Sequence, residues 1–275
     1  MAGAEKLTFA ASSAAALEPH LPPPPTTTTA TSPTRPFVTL TFATSLDSSL
    51  SLAPGVRTRL SGPASKAMTH YLRSRHAAIL IGVSTLLADD PGLNCRLAGL
   101  PGATGQPRPI IVDPHARWTP RRTDKVLALC RAGAGLAPYV LTGVRTDELP
   151  ADKTRLLHDH GGKYIHVAAA APDARLRFSW RDMLGVLRAE GLASVMVEGG
   201  GHVINSLLDP AHHELVDAVI VTIAPTWLGR GGVVVSPDRV EDEEGRPSAA
   251  ARLCGVSWLP LGEDVVLCGR LQAAP

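Results

Sequence analysis

Ala193-Ser-Val-Met-Val-Glu-Gly-Gly-Gly-His-Val-Ile-Asn-Ser-Leu-Leu208 joins an apolar, β-branched run to a carboxylate, three glycines and a helix-like pattern. That order of residue types predicts a strand, a tight turn and a helix, the building unit of an open α/β sheet. Gly199, Gly200 and Gly201 carry no Cβ, so the backbone can take positive φ and approach a ligand closely, with the N–H groups of the next helix turned toward an anion. Glu198 ends the strand and is expected at the carboxyl edge of the sheet, where folds of this kind bind their ligands. Taken alone, the glycines fit a phosphate cradle and a plain strand-to-helix turn equally well, because the full G-x-G-x-x-G is absent.

The same alternation extends upstream. Residues 37–43 form a β-favouring run, residues 65–74 a helical pattern ending in Arg73 and Arg75, and residues 76–83 a nearly all-apolar strand. Further strands are expected at 108–113, 137–142 and 162–168, with a helix at 151–160 and an amphipathic helix at 180–190 that feeds the strand around Val195. The expected fold class is therefore α/β, a mostly parallel central sheet flanked by helices. Beyond a helix at 202–208, strands at 217–224 and 264–271 follow with no clear helix between them, which predicts antiparallel C-terminal edge strands. Residues 98–107, 229–232 and 237–251 read as loops. A single domain over 36–275 is expected, preceded by a disordered Ala/Ser/Thr/Pro-rich tail over 1–35 that lacks the features of a targeting signal.

Bulk properties narrow the function. With 275 residues and 44% apolar residues the chain can bury a large core, and a net charge of +2 with scattered arginines argues against a nucleic-acid surface. No apolar run approaches the ~18 residues that read as a membrane span. Cys95, Cys130, Cys254 and Cys268 have no C-x-x-C spacing, which disfavours a zinc site and a disulfide framework and fits a reducing, cytoplasmic setting. The histidine pairs at 158/160 and 212/213 lack H-E-x-x-H and read as solvated, Ser206 is not in a G-x-S-x-G elbow, and the zinc-deaminase signature is missing. Neither a metal nor a covalent nucleophile is expected.

Other residues have the right chemistry for a small-molecule site. Thr85 and Asp89 are four apart, so a helical turn would put them on one face, where a hydroxyl and a carboxylate suit ribose hydroxyls or a nicotinamide carboxamide. A helix cap followed by a turn aspartate accounts for the same spacing. Asp47, just after the first strand, fits an acid or orienting group in a cleft and equally a turn former. Arg57, Arg59, Arg73, Arg75 and Arg96 lie near strand ends; guanidinium groups converging on one edge would make a phosphate site, and dispersed ones would be surface.

Taken together, Val38-Thr-Leu-Thr-Phe-Ala-Thr-Ser-Leu-Asp47, Met68-Thr-His-Tyr-Leu-Arg73, Gly82-Val-Ser-Thr-Leu-Leu-Ala-Asp-Asp-Pro-Gly-Leu-Asn-Cys-Arg96, Pro107-Arg-Pro-Ile-Ile-Val-Asp113 and Val197-Glu-Gly-Gly-Gly201 resemble the fungal and archaeal 2,5-diamino-6-ribosylamino-4(3H)-pyrimidinone 5′-phosphate reductases of riboflavin biosynthesis. The chain is also similar to the reductase half of the bacterial bifunctional deaminase-reductase, without the deaminase half. The resemblance covers about residues 36–271. It implies a dihydrofolate-reductase-like fold, NADPH as hydride donor, a homodimer, and reduction of the ring-opened ribosyl imine to a ribityl chain. It also implies cofactor contacts from Ala43, Thr85, Asp89 and the turn Gly199, Gly200, Gly201, His202 and Val203, and substrate contacts from Arg73, Leu93, Arg96 and Glu198. Asp47 and Glu198 are the candidate catalytic groups, either to stabilise a protonated imine or to relay a proton. The family's frequent Ser-Leu-Asp-Gly-Lys/Arg is here Ser45-Leu-Asp-Ser-Ser49, while Arg57 and Arg59 follow at a spacing that suits a flap over the cofactor. A reductase of a pterin-like ring and a non-catalytic NADPH-binding protein are the competing functions.

Overall fold

The computed structural model describes residues 6–23, 34–99, 105–168, 178–242 and 244–272. Its strands are β1 (Phe37–Thr44), β2 (Ser49–Ser51), β3 (Ala78–Gly82), β4 (Arg108–Val112), β5 (Tyr139–Thr142), β6 (Lys163–His166), β7 (Ser194–Gly199), β8 (Ala218–Ile223), β9 (Val233–Val234), β10 (Val240–Glu241), β11 (Pro247–Ser248), β12 (Leu253–Leu261) and β13 (Asp264–Leu271). Its α-helices are α1 (Ala11–Leu17), α2 (Pro63–Arg75), α3 (Val83–Asp89), α4 (Lys125–Arg131), α5 (Ala151–His158), α6 (Trp180–Ala189) and α7 (Gly201–Leu207).

Nine strands form one sheet in the order β12-β13-β8-β1-β7-β3-β4-β5-β6. Neighbours from β8 to β6 run parallel, and β13 and then β12 add antiparallel at one edge. The central strands are apolar on both faces because both faces are covered. In β3, Ala78 and Leu80 meet α6 and α7 through Met183, Leu184, Val203 and Ile204, whereas Ile79 and Ile81 meet α4 and α5 through Val126, Leu127 and Leu157. The two-residue period of the pleat divides one apolar run between two cores.

The expected architecture is the one found, with corrections in detail. The strand at 218–223 pairs antiparallel with β13 as expected, but it lies inside the sheet between β13 and β1; the edge belongs to β12. The expected loop at 237–251 contains the short β10–β11 hairpin, tied by Asp242, which accepts from the backbone and guanidinium of Arg246. His213 is 8% exposed, with its ring bonded to the Leu208 carbonyl, and is not a solvated residue.

The largest correction concerns the N-terminal segment expected to be a disordered tail over 1–35. Residues 6–23 are ordered: α1 is followed by a 3-10 turn (Glu18–His20), and Leu17 and Leu21 are buried against Met68 and Leu72 of α2 and Val266 and Cys268 of β13. Phe9 stacks on Tyr71, and Glu18 takes bonds from Tyr71 and Arg75. A seven-residue Ala/Ser helix is marginal by itself; these few apolar anchors hold it through tertiary packing. The Pro/Thr stretch at 24–33 lies outside the described residues.

Candidate functional site

β1, β7 and β3 are adjacent at the centre of the sheet and parallel, so their carboxyl ends open onto one edge. Along β7 the register with β3 jumps from Leu80↔Val197 to Ile81↔Gly199, which leaves Glu198 as an extra residue in a bulge. A bulge re-aims a side chain and ends regular pairing, and Glu198 lines the cavity at this edge.

Two contiguous cavities lie there. One, of about 500 Å³, is bordered by Ser84, Thr85, Glu198, Gly200, Gly201 and His202 and covered by the 54–58 segment. Gly200 has φ 85°, and a Cβ added to it would sit 3.1 Å from Thr85 Oγ1, so a side chain there would fill the gap between turn and α3. Gly201 admits no side chain for a different reason, since its Cβ would come within 2.4 Å of Val233. Thr85 and Asp89 both line this cavity, so the helical link does put them on one face. The second cavity, of about 740 Å³, is ringed by six cations, Arg57, Arg59, Lys66, Arg73, Arg96 and Lys125, with Leu93 and Asn94 beside them. Ala43, Leu50, Arg57, Thr58 and Asp89 line both. Ala43 at the end of β1 and Asp89 at the end of α3 therefore stand where the cavities meet.

The cationic wall is organised by α2, which faces the cavity with Lys66, Thr69, His70 and Arg73, a spacing of three, four and seven. The first turn of this helix is capped from the β12–β13 hairpin: Asp264 Oδ2 accepts from Gly62 N (2.9 Å) and Ser65 Oγ (2.5 Å). Opposite runs the 91–96 segment. Leu93 holds φ 51° while 2% exposed, a conformation that costs a leucine ~1–2 kcal/mol. Its surroundings hold it there: Asn94 Nδ2 donates to Ala134 O (2.8 Å), and Gln106 bonds both the N–H and the carbonyl of Cys95.

Arg73 and Arg96 reach the same cavity in different electrostatic states. Arg73 gives a two-pronged contact to Glu198, Nε to Oε1 at 2.9 Å and Nη2 to Oε2 at 2.7 Å, and donates from Nη1 to Asn94 O. Its charge is compensated. Arg96 forms no ion pair among the described residues; its guanidinium lies against the imidazole of His70, Nη2 at 3.0 Å and Nε at 3.3 Å from Nε2. Burial, and then the charges of Arg73, Arg96 and Lys66, push the His70 pKa down to about 3, so the imidazole is neutral.

Three expected site residues, Asp47, Gly199 and Val203, line neither cavity. The Asp47 carboxylate accepts from Ser45 Oγ, Leu228 N (3.1 Å) and Gly229 N (2.7 Å) and ties the turn after β1 to the loop after β8. The Ser45 hydroxyl, then the two backbone N–H groups, lower its pKa, the opposite of what an acid requires. Val203 points into the core at 4% exposure and can meet a ligand through its backbone alone. Arg75 turns away to Glu18 and the Tyr71 ring. Lys66, Thr69, His70 and Lys125 were missed, although the polar stripe along α2 was readable from its spacing. Among the described residues no cluster of metal-ligating side chains exists, and all four cysteines are free.

A family model described as RibD C-terminal domain matches residues 36–267, which include both cavities. The chain belongs to this family. A Candida glabrata relative named 2,5-diamino-6-ribosylamino-4(3H)-pyrimidinone 5′-phosphate reductase is 42% identical over 245 residues, covering 86% of this chain and 90% of the relative. The Saccharomyces cerevisiae protein of the same name is 40% identical over 239 residues, covering 86% and 87%. The solved riboflavin biosynthesis reductase of Saccharomyces cerevisiae superimposes with a TM-score of 0.72 at 33% identity, over 94% of this chain and 98% of that one. Acinetobacter baumannii RibD shares the fold, with a TM-score of 0.65 at 23% identity, over 86% of this chain and 58% of that one. The dihydrofolate-reductase-like arrangement implied by the sequence is the arrangement of these family members, and membership in a reductase family implies a nicotinamide cofactor. No helix among the described residues is long and apolar enough to cross a membrane.

Proposed function

We propose that the chain catalyses NADPH-dependent reduction of the ribosyl group of 2,5-diamino-6-ribosylamino-4(3H)-pyrimidinone 5′-phosphate to the ribitylamino product. The observation that carries this reading is the pair of cavities, one bounded by a glycine turn and the other by cations, which meet at Ala43 and Asp89. The glycine-bounded cavity suits a dinucleotide: the gap at Gly200 is one that a Cβ would fill, and Thr85, Asp89 and His202 offer polar groups along it. When bound, the cofactor supplies a hydride. The cation-ringed cavity suits a phosphorylated sugar, with Arg96, like Arg57 and Arg59, in no ion pair among the described residues and able to bond a phosphate.

The substrate's imine carbon gains the hydride and its nitrogen gains a proton, giving a secondary amine. This chain's own contribution is to hold the two reactants in line, which supplies ~7–11 kcal/mol when the geometry is right. Leu93 and Asn94 shape the floor, and binding energy from the remote phosphate is spent on orienting the reacting carbon. Asp89 lines both cavities and is the carboxylate placed to stabilise a protonated imine. Glu198, committed to Arg73, sets the position of that arginine and the polarity of the junction.

NADPH rather than NADH fits the charge of the site. Asp217, near the right distance beyond the glycine turn to bind a ribose 2′-hydroxyl, is held at the amino end of β8 by Arg35 (2.6 and 3.0 Å) and Val38 N. Arg57 lines the glycine-bounded cavity instead. A homodimer and a cytoplasmic location belong to the same proposal, supported by the exposed edge strand β12 and by four cysteines that are not paired in disulfides. The test is an absorbance assay of NADPH oxidation with the ribosylamino-pyrimidinone phosphate, run in parallel with NADH. Absence of turnover sinks the assignment, and an equal kcat/KM with NADH sinks the cofactor preference. A pterin-ring reductase would turn over a substrate without phosphate and would be indifferent to Arg96.

A further inference from the structure

Arg96 is fixed by parts of the chain remote from its own loop. Its backbone N–H points at His70 Nδ1 (3.1 Å), its guanidinium lies against His70 Nε2, and its carbonyl accepts from the N–H of Leu7 (2.9 Å). Leu7 also accepts from Ala98 N (2.9 Å), so the N-terminal segment makes a parallel bridge across Leu97. That segment precedes the part of the chain that matches the family model, which begins at residue 36. It is anchored on α2, the helix that carries His70, through Phe9, Leu17 and Leu21.

A neutral imidazole has one acceptor nitrogen and one N–H. His70 faces N–H donors of Arg96 at both nitrogens, so it satisfies the backbone or the guanidinium but not both. The backbone is pinned by Leu7, and the side chain is the part that can move. A neutral neighbour also leaves the full positive charge of Arg96 uncompensated, in contrast to Arg73 beside Glu198.

We propose that His70 and Leu7 of the N-terminal segment are positioning residues for Arg96, holding its backbone in place and its guanidinium under-bonded so that it turns onto the substrate's phosphate. The N-terminal segment is then a working part of the substrate site. This inference rests on the functional reading above, in which Arg96 binds that phosphate.

The test is steady-state kinetics of full-length variants with the ribosylamino-pyrimidinone phosphate, together with NADPH titration and thermal unfolding. Leu7→Pro deletes one N–H donor and keeps the carbonyl that accepts from Ala98. His70→Leu deletes both ring nitrogens at similar volume, and His70→Gln restores an acceptor. We expect Leu7→Pro and His70→Leu each to raise the substrate KM by about tenfold, with kcat and NADPH affinity little changed, and His70→Gln to recover part of the loss. In an Arg96→Ala background, neither substitution should raise KM further. Folded Leu7→Pro with wild-type KM overturns the role of the N-terminal segment, and it remains informative if His70→Leu does not fold. Equal effects with and without Arg96 overturn positioning in favour of a purely structural role. If Arg96→Ala itself leaves KM unchanged, the functional reading of Arg96 fails, and this inference fails with it.

Discussion

Arg73 and Arg96 look alike in sequence, and both face one cavity, one from the last turns of α2 and the other from the 91–96 segment, yet their surroundings assign them different work. Arg73 shares its fork with Glu198, and both side chains are less than a fifth exposed (14% and 17%). Arg73→Ala strands a mostly buried carboxylate, so it should cost stability as well as activity, on the order of a few kcal/mol. Arg96→Ala removes a guanidinium that compensates no carboxylate. It should leave thermal unfolding nearly unchanged while lowering kcat/KM by ~1.5–3 kcal/mol through loss of a charge-assisted contact to phosphate. Arg96→Lys should recover part of that, because an ammonium lacks the planar fork. Parallel unfolding and kinetic measurements separate the two; an Arg96→Ala enzyme with full activity at subsaturating substrate would sink the phosphate assignment. Asp89→Asn carries a third expectation. If Asp89 stabilises a protonated imine, its neutral isostere should lower kcat by roughly 10²-fold, the scale of a single well-placed electrostatic or acid–base group, with the fold intact. An effect confined to NADPH affinity would reassign Asp89 to cofactor binding alone.

Elements decide where these residues stand. The parallel strands were legible because a run such as Ala78–Gly82, apolar on both faces, has no other stable place than the middle of a covered sheet. The glycine turn was legible for the same kind of reason, since Gly200 at φ 85° marks a backbone that side chains rarely tolerate. Gly200→Ala should cost ~1–3 kcal/mol of stability, because φ 85° with ψ 130° is a backbone conformation open almost only to glycine, and reduce NADPH affinity at least as strongly by filling the gap beside Thr85. Fluorescence titration of NADPH checks this, and unchanged affinity in the folded variant would remove the turn from the cofactor site. What the sequence hid has physical causes too. β12 escaped notice because most of its residues are exposed and Gly255 and Pro260 interrupt its β pattern. The N-terminal helix was masked by Ala/Ser composition, its few anchors too sparse to show a period. The bulge that turns Glu198 into the site depends on register between strands distant in sequence, and the Arg73–Glu198 contact spans 125 positions.

At the scale of the whole molecule, the sheet ends at β12, whose outer edge is unpaired among the described residues and which exposes Val256 (44%) and Trp258 (58%). An exposed apolar edge strand is a template for association. Trp258→Arg should therefore shift the proposed dimer toward monomer in analytical ultracentrifugation, and an unchanged dimer would place the interface elsewhere. Stability offers a sharper expectation, because a buried histidine locks the centre of the sheet to α2. His76 is 4% exposed, donates from Nδ1 to the Leu72 carbonyl (2.7 Å) and so accepts at Nε2 from Thr39 Oγ1 (2.7 Å). That arrangement requires the neutral ring, and burial, with a smaller push from Arg75, holds its pKa down to about 4. His70 is shifted in the same direction, to about 3. In the unfolded chain both titrate near the ordinary value of ~6.5. Below that pH the unfolded state binds protons that the folded state refuses, so stability rises with pH across the interval. The contribution is fully present above pH ~6.5 and is lost as pH falls toward about 4 for His76 and about 3 for His70. For His76 alone it amounts to about 3 kcal/mol. Urea midpoints should therefore fall steeply between pH 6.5 and 4.5. His76→Gln, which keeps one donor and one acceptor but does not titrate, should be less stable than wild type at pH 7 and lose less on acidification. Parallel pH profiles for the two proteins would show that His76 is not the group that makes this fold acid-labile.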